Sequence, residues 1–354
     1  VDPNRPAAVV ILAAGQGTRM RSAQPKVLHE ICGRSLLGHA LAAAEGLHPD
    51  SIVVVVRHER DAVARHARAC DPNVVIADQD EIPGTGRAVW CALQELPHDL
   101  TGSVVVMAGD VPLLDTASLQ RMCDALGTNA VSVLTTQVKD PTGYGRIVRD
   151  EAGHICGVVE HKDATAAQRE IYEINTSTYS FDLTFLRDAL THLSSANAQG
   201  ELYLTDVIAR AYTAKAGVSG VVLEDSWLVE GCNDLVQLAA LRAEMNRRVV
   251  ERWMRAGVRV VDPATTQFDV TASAEADAQI LPGTHLAGAT HVEPGAIVGP
   301  GIFTDCHVGA AAVAQYVVAD QVDIPAGAHV PAFSVLPAGA VPAGGSDVLG
   351  TSNK

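Results

Sequence analysis

Residues 12–28, LAAGQGTRMRSAQPKVL, have the side-chain types needed to hold phosphate. Gly15 and Gly17 let the backbone turn tightly and bring N–H groups against an anion. Arg19 and Lys26 place two cations just past the turn, where the charge of a triphosphate would lie. This is not the G-x-x-x-x-G-K-[ST] phosphate loop. Nor is it the dinucleotide fingerprint, because Met20 stands at the third glycine position. Asp110 follows the apolar run 104–108 in MAGDVPLL. An Asp in a G-D-x-P turn often only bonds its own backbone. At the carboxyl end of a strand, however, it is placed to bind Mg2+, which keeps water and takes phosphate oxygens as further ligands. The thirteen His form no helical H-x-x-x-H pair, and the seven Cys form no C-x-x-C. That usage predicts buried thiols in a reducing cytoplasm rather than disulfides or structural zinc.

Three textures must position these residues. In the first, short apolar runs at 8–13, 52–56 and 104–108 alternate with stretches of helical spacing at 35–46 and 61–70. This rhythm predicts a parallel sheet covered on both faces, with ligands at the carboxyl ends of its strands. The second texture is one long amphipathic helix carrying Leu235, Leu238, Leu241, Met245 and Val249, with Gly257 as its stop. The third repeats every six residues at Ile280, Leu286, Val292 and Val298, slips near 304–315, and resumes at Val318, Ile324, Val330 and Leu336. Two phased aliphatic sets argue against a Gly/Ala/Pro linker and for a parallel β-helix of about three coils. The expected divisions are a first domain at 1–232, a linker helix at 233–258, a repeat region at 259–345 and a tail at 346–354.

The 354 residues include 26 basic and 41 acidic side chains, a formal net charge of −15. Such a chain is a poor candidate for nucleic-acid binding, which needs a basic footprint. The charge is uneven. Residues 1–259 carry 25 basic and 32 acidic groups, whereas residues 260–354 carry nine acidic groups and one base, Lys354. At 47% hydrophobic and 19% charged, the composition is that of a globular protein rather than a disordered one. The apolar runs are too short to span a bilayer, and no signal peptide is expected.

LAAGQGTRMRSAQPKVLHEICGRSLL resembles the signature of sugar-phosphate nucleotidyltransferases. It is most similar to the N-acetylglucosamine-1-phosphate uridylyltransferase half of the bifunctional bacterial enzyme. The later segments QDEIPGTGRAV, MAGDVPLL, DPTGYGRIV, VVEHKDAT, EINTSTYSFD, ELYLTD and LVEGCNDLVQLAAL agree in order, so the likeness runs from about residue 8 to about 340. The fold class it implies is α/β. A Rossmann-like nucleotidyltransferase domain with a mostly parallel sheet is followed by a long linker helix and a short left-handed parallel β-helix. The implied reaction converts UTP and N-acetylglucosamine 1-phosphate to UDP-N-acetylglucosamine and pyrophosphate with Mg2+. Arg19 and Lys26 would be catalytic, and Asp110 and Asn233 would hold the metal. Ala13, Ala14, Gly15, Gln79, Gly84 and Thr85 would bind the nucleotide, and Gly145, Glu160 and Asn175 the sugar. A homotrimer through the β-helix is implied, with no membrane or nucleic-acid partner.

His161 is not expected to act as a base, since the attacking phosphate oxygen is already anionic. Cys232 has no evident partner as a nucleophile. The chain departs from the family in three places. Arg87 replaces His in GTGHA, and Ala108 stands before G-D where relatives often carry an aromatic residue. Pro337 stands where the β-helix motif F-T-Y-L-R-P-G-T has Arg. The last departure and the charge-poor repeats predict no acetyltransferase activity and a natural short form. The alternatives are a nucleotidyltransferase for another sugar 1-phosphate, or an inactive nucleotide-binding module.

Overall fold

A computed structural model describes residues 4–340. The expected tail at 346–354 and the end of the 259–345 segment lie outside the described residues. The chain forms two compact units, residues 4–29 with 35–237, and residues 30–34 with 238–340.

The first unit is built on a nine-stranded sheet. Its strands are β1 (Ala8–Leu12), β2 (Ser51–Val56), β3 (Val75–Asp78), β4 (Ser103–Ala108), β5 (Val131–Gln137), β6 (Arg146–Arg149), β7 (Ile155–Val159), β8 (Glu173–Asp182) and β9 (Val218–Leu223). The order is β9-β5-β8-β4-β1-β2-β3, with β6 pairing β8 and β7. Strands β4, β1, β2 and β3 pair in parallel, as the apolar rhythm predicts. β8 lies antiparallel between β4 and β5, and β6 pairs antiparallel with β8 and β7.

Alternate residues of these strands feed two cores. Ala8, Val10, Val53, Val55, Val104 and Val106 face one. Val9, Ile11, Val54, Val56, Val105 and Met107 face the other. Burial on both faces explains why the strands read as continuous apolar runs rather than alternating ones. Each fully buried aliphatic side chain stabilises the unit by about 1.5–3 kcal/mol. The helix expected at 35–46 is Leu36–Glu45, started by Ser35, whose side chain accepts the Gly38 N–H.

The helix Leu235–Arg255 carries the expected apolar stripe with one shift: Leu238, Leu241, Met245, Val249 and Val250 are buried, while Leu235 is exposed. In the second unit, Asn246 donates to Thr266 O (2.8 Å) and accepts from Phe268 N–H (3.0 Å), and Trp253 stacks near Phe268. These bonds fix the helix to the first coil.

Residues beyond 258 wind through three parallel sheets of five, five and four short strands. The described residues complete four coils and place two strands of a fifth, more than the three expected. The six-residue phase becomes visible only at Ile280, yet Val260, Phe268 and Ala274 already occupy the same inward ladders. In the resumed phase Ile324 and Val330 are buried as expected, but Val318 is one residue off. Val318 is 47% exposed, while Val317 and Ala319 point inward. Here the strand is four residues long, Val317–Asp320, and its side chains alternate in and out. Phe303, Val308, Ala314, Ala319 and Ile324 are the true core series, with steps of five as well as six residues.

Four His are the only basic-capable side chains between residues 260 and 340, which contain no Lys or Arg. His307 sits between two carboxylates, with Nδ1 3.0 Å from Asp323 and Nε2 3.0 Å from Glu293. Its ring stacks on His291, which is bonded to Ser273 and Glu275.

Candidate active site

The parallel register brings the ends of four strands to one edge of the first unit. Leu12 pairs with both Val55 and Ala108. Ala13 N–H donates to Val55 O (2.9 Å), Gly109 N–H to Leu12 O (2.9 Å) and Gln79 N–H to Val56 O (3.0 Å). The loops after β1, β3 and β4 therefore begin side by side, where ligands of parallel sheets lie. Ala13 is buried and its N–H belongs to the sheet, so a ligand meets backbone N–H groups only from Ala14 and Gly15 onward.

The two glycines of this loop differ in role. Gly15 faces open space, and a Cβ there would touch nothing within 4 Å. Gly17 has φ +62°, and a Cβ on it would lie 2.7 Å from the Lys26 Cβ. Gly17 thus lets the backbone of the following turn, Thr18–Met20, close against Lys26, with Met20 buried as its anchor.

Lys26 forms an ion pair with Asp110, and both side chains are largely covered, at 13% and 18% exposure. Arg19 Nη2 donates to Asn233 Oδ1 at 2.9 Å. Cys232 N–H donates to Asp110 O (3.0 Å), which ties the Asn233 segment to the end of β4. An Asn just before a helix is usually its cap, but here Asp234 has that role. Its carboxylate accepts Gln237 N–H (2.8 Å), and Gln237 Oε1 accepts Asn233 N–H (2.7 Å). This capping leaves the Asn233 side chain to the site. Burial and the charge of Asp110 push the Cys232 thiol up to about 11, so it is no nucleophile near neutral pH.

Beside β3, Gln79 Nε2 donates to Ile82 O (3.2 Å) and Gly84 O (3.3 Å). Gly84 has φ +120°, and any Cβ there would strike the Leu202 backbone at 2.3 Å. Thr85 Oγ1 accepts Leu204 N–H (3.1 Å), which leaves the hydroxyl proton to donate elsewhere.

Gly145, Glu160 and Asn175 are also brought together. A Cβ on Gly145 would lie 3.5 Å from both Asn175 Cβ and Glu160 Oε1, and 2.9 Å from Val158. Asn175 N–H donates to Gly145 O (2.9 Å). The Asn175 side chain is more committed than expected: Nδ2 donates to Tyr179 OH (2.7 Å) and Oδ1 accepts Ser177 N–H (3.2 Å), leaving one amide hydrogen. Thr205 donates to Glu160 Oε1 (3.3 Å). Burial raises the Glu160 carboxyl, and the nearby Asp163, Asp206 and Glu201 add to that rise. His161 Nδ1 lies 3.3 Å from Arg146 Nη2 and can only accept there.

Sequence reasoning passed over Tyr144 and Thr205. The Tyr144 hydroxyl donates to Glu230 (3.1 Å), and burial with Glu230 pushes it up to about 12. Both lie inside segments that carried the resemblance, TGYGR and LYLTD, where Tyr144 directly precedes Gly145. The signal was adjacency rather than residue type.

The edge site and its parallel sheet define a nucleotidyltransferase-type domain, and the MobA-like NTP transferase domain family matches residues 9–172. Over longer stretches the chain is 54% identical to the bifunctional protein GlmU of Paenarthrobacter aurescens across 310 residues, 86% of this chain and 62% of that protein. It is 51% identical to the protein of the same name from Kineococcus radiotolerans across 338 residues, 94% of this chain and 68% of that protein. The Mycolicibacterium vanbaalenii protein is 51% identical across 302 residues, 84% of this chain and 61% of that one. The chain belongs to the GlmU family, and spans somewhat under two thirds of the length of the first of these relatives. Among the described residues no helix is long and apolar enough to cross a membrane.

Proposed function

We propose that the chain is a uridylyltransferase that makes UDP-N-acetylglucosamine and pyrophosphate from UTP and N-acetylglucosamine 1-phosphate. The carrying observation is the pairing of Lys26 with Asp110 and Arg19 with Asn233 at one strand edge. Three separate segments converge there to put two cations and two hard oxygen donors in one place.

The donor set fits Mg2+. One carboxylate and one amide oxygen are too few for a closed cage, and the described residues hold no cluster of three or more His, Cys, Asp or Glu suited to a metal. Mg2+ needs no such cage, because it keeps waters and takes substrate phosphate oxygens. Asp110 and Asn233 would hold the ion, which would supply neutralising charge for the phosphates. Lys26 and Arg19 would meet phosphate oxygens, and the backbone beyond Ala13 would donate to them. Gln79 and Thr85 would read the base, and Gly145, Glu160 and Asn175 would seat the sugar. The sugar phosphate oxygen attacks the α-phosphorus in line and pyrophosphate leaves. The attacking oxygen is already anionic, so the chain's task is positioning and charge neutralisation.

Pyrophosphate release across a panel of nucleotides and sugar 1-phosphates tests this. Absence of turnover with UTP and every hexose 1-phosphate would sink the proposal. A preference for another sugar would instead favour the alternative that Ala108 suggests. Acetyl transfer is not part of the proposal. Residues 260–340 have no Lys or Arg to bind the phosphates of acetyl-CoA. Self-association through the β-helix, as a trimer, belongs to the same reading. A light-scattering mass of one chain would contradict it.

A further inference from the structure

We infer that Arg87 is a positioning residue that sets base specificity by locking the amide of Gln79. This rests on the proposed role of Gln79 in reading the base. Gln79 Nε2 gives both its hydrogens to the loop, one to Ile82 O and one to Gly84 O. A flipped amide would set its oxygen against two carbonyl oxygens, so the orientation is fixed by the loop. Only Oε1, an acceptor, remains for a ligand. An acceptor matches the N3–H of uracil and opposes the bare N3 of cytosine.

The lock is only as good as the loop that carries those two carbonyls. Asp80 Oδ1 accepts Ile82 N–H at 3.1 Å and so closes the turn. Arg87 grips the same carboxylate with two nitrogens: Nε lies 3.1 and 2.9 Å from its oxygens, and Nη2 bonds Oδ2. The guanidinium lies over Trp90, 4.0 Å from the ring centre, which holds its plane. Arg87 and Trp90 belong to the helix Thr85–Gln94, so the fork straps the loop to a rigid element. The Asp80 carboxyl is held below its ordinary range, chiefly by this hydrogen bond.

The experiment compares UTP and CTP as substrates, with N-acetylglucosamine 1-phosphate and Mg2+, for the wild type, Arg87→Met, Arg87→Lys and Asp80→Asn. In the wild type UTP is preferred. In Arg87→Met the ratio of kcat/KM for UTP over CTP should fall about tenfold, the order of one lost hydrogen bond. The loss should come mainly through the KM for UTP. Asp80→Asn should fall similarly, Arg87→Lys should recover part of the ratio, and the double variant Asp80→Asn with Arg87→Met should be no worse than either single one. A merely structural role would lower activity with both nucleotides equally, and an unchanged ratio in folded Arg87→Met and Asp80→Asn overturns the inference. A wild type that uses CTP as well as UTP would instead overturn the base-reading role of Gln79.

Discussion

At the site, the decisive side chains are those whose partners are other site residues. Lys26 and Asp110 neutralise each other under partial cover, so removing one leaves the other's charge without its partner. Asp110→Ala should lower kcat by on the order of 10²–10³, with an unchanged circular dichroism spectrum. Retained turnover in the folded variant would remove Asp110 from the mechanism. Glu160 gives a pH test. Its raised carboxyl is an ionised acceptor only above the ordinary glutamate range, so lowering the pH should raise the KM for the sugar phosphate before a typical glutamate would protonate. Glu160→Gln should remove that limb, and a flat wild-type KM across the window would contradict the assignment. Arg19, Lys26 and Asp110 could be singled out from their places, two cations after a Gly-rich turn and an Asp at the carboxyl end of a strand, where ligands of parallel sheets lie. Asn233 was not legible from its own surroundings. Its freedom depends on Asp234 and Gln237 capping the helix instead, a competition between equally good capping residues that spacing does not decide.

Among the elements, three strands of the sheet, β1, β2 and β4, were legible as uninterrupted apolar runs. The antiparallel placement of β8 was not, since pairing direction leaves no mark on a run buried on both faces. In the β-helix, six-residue counting located Ile280, Leu286, Val292 and Val298, all of which are buried. It misplaced Val318 because a four-residue strand alternates within itself and resets the count. Two substitutions separate the readings. Phe303→Ala should destabilise the second unit by about 3–5 kcal/mol, as expected for emptying a buried aromatic site. Val318→Ala should fall within about 0.5 kcal/mol of the wild type, as at ordinary surface positions. Urea unfolding followed through Trp253 fluorescence, with Trp90 and Trp227 replaced by Phe, gives both values. A larger loss for Val318→Ala would restore the simple six-residue phase.

For the molecule as a whole, the uneven charge read from the sequence has a structural counterpart in the coils. His307 bonds a carboxylate through each ring nitrogen, which only the doubly protonated ring can do. Asp323 and Glu293 raise its pKa, while its partial exposure keeps the effect modest. The sign follows from linkage. The stabilisation is complete below the unfolded value of about 6.5 and is lost as pH rises through the higher folded value. His307→Gln should therefore flatten the unfolding midpoint in that window while leaving it pH-dependent elsewhere. An unchanged slope would show that the bonded ring is neutral.

The missing lysines and arginines have a further consequence for degradation. Trypsin has no bond to cut between Arg259 and residue 340, folded or not. Limited tryptic digestion of this protein would therefore report on the nucleotidyltransferase-type unit and the long helix, and would leave the coils intact even after they had opened. A protease that cuts at acidic residues would reach the coils as well as the rest of the chain, with Asp277, Asp305 and Asp320 available as the coils fray. Cuts within residues 260–340 by the second protease would time the opening of the coils on the unmodified chain, which trypsin cannot see.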